Sequence, residues 1–185
     1  MKKLVVKLSN RLLIAIALAG TVYCIYLFQQ VQTALSRLAG QEVTMIDLHS
    51  NYTIETIQLF FQQITEEGRA IHYQATAITD MIFPFAYGLF FILLLARFLQ
   101  KAFGTTSNWM YLAYFPVILM GIDFLENIQI LHLLKNSHQL TAEMVADAAQ
   151  LTFVKNILIN IVLALVFITG GLALAQWQRQ TRLQP

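Results

Sequence analysis

From Asn156 to Trp177 the chain runs 22 residues without one charged side chain. At about 1.5 Å per residue, a helix of that length crosses a hydrocarbon layer of roughly 30 Å. Three further stretches have the same character, so we expect four spans, at about 12–29, 80–98, 109–134 and 156–177. The third is the most interrupted, by Asp123 and Glu126. Apolar residues make up 57% of the 185-residue chain and charged residues only 12%. Soluble domains hold about twice that charged fraction and must keep most apolar surface from water. The expected fold class is therefore an all-α integral membrane protein, a four-transmembrane-helix bundle in a single membrane domain.

The start of the chain has the form of a signal peptide, with Lys2, Lys3 and Lys7 ahead of an apolar run. That run, 12–28, exceeds the usual 7–15 residues of a signal core, and no small-x-small cleavage pattern follows it. We read it as a retained helix that doubles as a signal anchor. The net charge of +2 and the lack of a basic run away from the span flanks argue against a nucleic-acid partner. Cys24, the only cysteine, lies inside an apolar run, where a thiol acts as a small hydrophobe.

Orientation follows from the basic residues. Lys2, Lys3, Lys7 and Arg11 precede the first span, Arg97 and Lys101 separate the second from the third, and Arg179 and Arg182 follow the fourth. These eight fall on one side, the cytoplasmic side by the positive-inside rule. All ten acidic residues fall towards the other. The expected localisation is a bacterial inner membrane with both termini cytoplasmic and the loop 30–79 extracytoplasmic.

That loop has structure of its own. Thr53 is placed to cap a helix whose apolar stripe is Ile54, Ile57, Phe60, Phe61 and Ile64. Packing against the bundle is the simpler reading of that stripe, an interfacial lid the sharper one. Thr65, followed by Glu66 and Glu67, marks a second helix start that continues into the second span. Thr141, with Glu143 and Asp147 behind it, marks another that runs into the fourth. The result is a helical extracytoplasmic extension.

Ionisable groups inside a span usually face the bundle interior or water. Asp80 lies 17 residues before Arg97, and Asp123 and Glu126 lie 14 and 17 residues beyond Trp109, so all three sit roughly 21–25 Å above the basic ends. Lys155, 22 residues before Trp177, reaches a similar level. Asp123, Glu126 and Asn127 share one helix face at i, i+3, i+4, and Arg69, Tyr73, Asp80, Pro84 and Tyr87 fit one stripe on the second helix. Pro84 lacks an N–H and so frees the Asp80 carbonyl. The candidate site is thus Asp80, Asp123, Glu126, Asn127, Lys155, Arg69 and Tyr73. Its structural reading pairs Lys155 and Arg69 with the carboxylates; its chemical reading leaves one acid able to move a proton or bind a cation.

Other signals are weaker. His72 and His132 are the histidines best placed for a metal or haem between helices, but no HxxxH or ExxH pair supports them, and no cofactor is expected. Asn51-Tyr52-Thr53 is a glycosylation sequon, and Gly170-Gly171 permits close helix approach. No P-loop, dinucleotide fingerprint, HExxH or GxSxG occurs. The first functional expectation is a non-catalytic accessory, assembly or structural partner of a membrane complex, its partners being lipid and other membrane subunits or copies of itself. A membrane-embedded enzyme acting on a lipid or isoprenoid at the acidic site is the second, and a small ion- or proton-coupled carrier the third.

Overall fold

The computed structural model describes residues 2–49 and 52–182, which are helical with no strand among them. A short helix α1 (Lys2–Leu8) precedes α2 (Arg11–Ala39), α3 (Ile54–Ala75), α4 (Met81–Phe103), α5 (Pro116–Lys135) and α6 (Ala142–Arg182). Four helical stretches are long and apolar enough to cross a membrane: Arg11–Ala39, Ile54–Phe103, Asn108–Lys135 and Ala142–Arg182. Each contains one of the four expected spans. Asn51 of the sequon lies outside the described residues.

Local chemistry sets the helix ends. The Asn10 side chain accepts from Leu13 N–H at 2.9 Å, Thr53 from Thr56 N–H at 3.4 Å, and Thr141 from Met144 N–H at 3.2 Å, each satisfying a donor that the first turn leaves open. Gly40 (φ +65°) and Gly104 (φ +83°) close α2 and α4 in the left-handed conformation that glycine adopts without cost.

Three features depart from uniform helix. Thr65, marked by the sequence as a second start, has φ 64° and ψ −179°, a kink within α3. Residues Thr76–Asp80 form a π-helical turn, whose extra residue shifts the register of everything after it. The stripe expected from Arg69 to Tyr87 is broken there: Asp80, Pro84 and Tyr87 are buried while Tyr73 is 40% exposed. The third stretch opens as a 3-10 helix, Asn108–Tyr114, before Pro116 begins α5, a first-turn position where a missing N–H costs nothing.

The chain divides into two compact units. One comprises Met1–Thr21, Phe85–Met120 and Leu158–Pro185, the other Val22–Pro84 and Gly121–Ile157. The first holds eight of the twelve basic residues and no acidic one, and we call it the basic unit. Its core is Val5, Leu95, Ala96, Leu99, Met110 and Ala113, with Leu165 and Val166 against it. Gly170 lets the Phe98 ring approach: a Cβ there would sit 3.2 Å from it.

The second, the acidic unit, holds all ten acids. Ile57, Phe60, Phe61 and Ile64 of α3 are buried there with Leu35 of α2, Ile130 and Leu133 of α5 and Val145 and Ala148 of α6. The apolar stripe of α3 is therefore core. The segment between α2 and α3 is held down as well: Val43 N–H donates to Ser36 Oγ at 3.3 Å and Met45 N–H to Gln32 Oε1 at 3.2 Å. This burial sinks Val43, Met45 and Ile46, worth on the order of 1.5–3 kcal/mol for a large aliphatic side chain.

Candidate functional site

Within the acidic unit, Asp80, Asp123, Glu126, Asn127 and Lys155 are all buried. Asp123, Glu126 and Asn127 share a face of α5, as their spacing requires, and Lys155 comes from α6. The Lys155 ammonium lies 3.6 Å from Asp123 and pairs directly with Glu126. Thr152, one turn before Lys155, donates its hydroxyl to Glu126 and meets Tyr52 Oη at 3.1 Å. A hydroxyl has one proton. With that of Thr152 on the carboxylate, Tyr52 is the donor to Thr152, and the order Tyr52–Thr152–Glu126–Lys155 is fixed. Burial pushes the Tyr52 phenol up to about 12, so it keeps its proton at neutral pH.

Asp80 sits at the end of the π-helical turn. Its backbone carbonyl accepts from Asn127 Nδ2 at 2.8 Å, tying α5 to the carbonyl that Pro84 cannot serve. The outer oxygens are less well served: Asp80 Oδ2 and Asn127 Oδ1 are buried with no hydrogen-bond partner. Asp47, from the 3-10 turn Ile46–Leu48, lies within electrostatic reach of Asp80, His72 and Lys155, and its Oδ1 is likewise buried without a hydrogen bond. Four carboxyl groups therefore act electrostatically on Lys155, and two of them, Asp123 and Glu126, are its ion-pair partners.

Two expected members lie elsewhere. Arg69 does not join the carboxylates: its guanidinium reaches back across the Thr65 kink to donate to the Phe61 carbonyl at 2.9 Å. With Tyr73 it lines a separate open cleft, because the π turn between Tyr73 and Asp80 rotates them off a common face. His72 and His132 do not form a ligand pair: His72 is fully buried, edge-on to Phe60 and 3.2 Å from Thr76 Oγ1, while His132 is exposed. Among the described residues no three His, Cys, Asp or Glu side chains gather closely enough to hold a metal ion.

Sequence reasoning missed Asp47, Tyr52 and Thr152. Thr152 was within its reach, since 152, 155 and 156 repeat the i, i+3, i+4 spacing used on α5. Asp47 and Tyr52 lie between helices, where periodicity carries no signal. Comparison with known families, with curated proteins and with solved structures finds no match to this chain.

Proposed function

We propose that this chain is an integral membrane protein of four transmembrane helices, with both termini cytoplasmic and the region 30–79 extracytoplasmic. It acts as a non-catalytic accessory or structural subunit of a bacterial inner-membrane complex. The one-sided distribution of basic residues supports the orientation. The observation that carries the structural role is Lys155, buried and shared between Asp123 and Glu126. Carboxylates occupied in this way serve as a fastening between α5 and α6 and are poorly disposed to act on a substrate.

The test is purification of the tagged chain from its native membrane in mild detergent, with quantitative mass spectrometry of what accompanies it. A stoichiometric membrane partner, retained by the charge-neutral variant Lys155→Met/Asp123→Asn/Glu126→Gln, is the expected result. Recovery of the chain without any partner, together with loss of a cellular phenotype in that folded variant, contradicts it.

A second reading rests on Asp80. Its buried, unbonded Oδ2, on the residue whose backbone carbonyl Asn127 holds, at a π-helical turn of the kind that often marks functional sites, suits a group that exchanges a proton or binds a small cation. On that reading Asp80→Asn removes activity and leaves the Lys155 pair intact.

A further inference from the structure

Away from the buried carboxylates, the acidic unit carries an open cleft of about 470 Å³ between α3 and the C-terminal end of α5. Arg69, Tyr73 and Gln74 line it from α3, and Lys135, Ser137 and His138 from the end of α5 and the turn beyond. The volume lies in the range of small-ligand sites. Its donors are a guanidinium, an ammonium, an imidazole, an amide and two hydroxyls, a set that suits phosphate oxygens. Arg69 is already steered by its bond to the Phe61 carbonyl, which leaves most of its N–H groups for a ligand. Glu66 also lines the cleft, so two permanent cations face one carboxylate. That balance matches the single negative charge of a phosphodiester better than the double charge of a phosphomonoester.

The position of the cleft selects the source. Gln74 precedes Asp80, where the second apolar span begins, by six residues, or roughly 9 Å of helix, and the lining residue Leu134 ends the third. Below Lys135 and His132, the same face of α5 exposes the apolar side chains of Ile128 and Leu125, three apart. A charged pocket above an apolar track is the shape of a phospholipid, and a soluble phosphate has no use for the track. We propose that this cleft binds the phosphodiester headgroup of a membrane phospholipid, with the acyl chains descending along α5. The inference rests on the transmembrane reading given above.

The test uses the full chain in detergent micelles, titrated with dihexanoyl phosphatidylglycerol and followed by native mass spectrometry. Dihexanoylglycerol and inorganic phosphate are the comparison probes. Saturable binding of one phosphatidylglycerol is expected, weakened about tenfold or more by Lys135→Gln and by rising salt, and unchanged by Lys101→Gln. Because Arg69→Gln also releases the Phe61 carbonyl, Lys135→Gln and His138→Gln are the variants that decide. Equal binding of dihexanoylglycerol, equal binding of inorganic phosphate, or unchanged affinity in both decisive variants overturns the assignment. Alkaline carbonate extraction of the same cells separates the two failures: a chain that stays in the pellet but ignores the lipid sinks this inference alone, and a chain released to the supernatant sinks the transmembrane reading.

Discussion

The basic and acidic units solve the burial of polar groups in opposite ways. In the basic unit the buried hydroxyls of Ser9 and Thr169 bond to carbonyls of their own local turns, Val6 and Leu165. Its buried cluster of Val5, Leu95, Ala96, Leu99, Met110 and Ala113 is apolar, and Lys7, Arg11, Lys101, Arg179 and Arg182 stay exposed. In the acidic unit the polar contacts join residues far apart in sequence: Tyr52 with Thr152, Asp80 with Asn127, and Glu126 with Thr152 and Lys155. The cluster at the centre of the first is apolar packing. In the second, a set of buried charges must also find its partners, so one arrangement of helices is favoured over its neighbours.

The contrast is open to attack. Its largest expected consequence is at Lys155: Lys155→Met strands two buried carboxylates and should lose about 3–5 kcal/mol, whereas Lys101→Met in the basic unit should stay within about 0.5 kcal/mol. Unfolding in mixed micelles measures both, and similar losses would erase the distinction. Core truncation should then level the units, since both rely on apolar packing. Leu99→Ala and Leu133→Ala should each lose about 2–5 kcal/mol in the same assay, and a negligible loss at either would remove that core from the account.

Smaller effects sharpen the picture. Tyr52→Phe removes one hydrogen bond, about 1 kcal/mol at neutral pH. The Tyr52 phenol is raised in the folded state, so its contribution is fully present below pH 10 and falls as pH rises towards 12. Between pH 10 and 12 the variant should therefore lose stability less steeply than the parent, and parallel slopes would mean that Tyr52 is not buried. Of similar size is Gly104→Ala, about 1 kcal/mol for placing a Cβ at φ +83°, read as a drop in melting temperature beside the unstrained control Gly121→Ala.

Much of this was legible in the sequence. Long apolar runs placed the four long helices, Thr53 and Thr141 marked starts, and i, i+3, i+4 spacing put Asp123, Glu126 and Asn127 on one face. The glycines at 40 and 104 were readable stop signals that went unused. The π turn at Thr76–Asp80 was not legible, because a one-residue register shift leaves no mark in composition, and it carried Arg69 and Tyr73 away from the site. Asp47 was hidden for a different reason: it sits in a short turn whose position depends on side-chain bonds from Gln32 and Ser36 to its backbone neighbours.

The central claim is that Lys155, paired with Asp123 and Glu126, fastens α5 to α6. Unfolding free energies in mixed micelles of Lys155→Met, and of the same change combined with Asp123→Asn and Glu126→Gln, test it most directly. The neutral triple variant should recover most of the stability that the single variant loses, because the two carboxylates that paired with Lys155 are neutralised together with it. A triple variant no more stable than Lys155→Met, or a single variant as stable as the parent chain, contradicts the account.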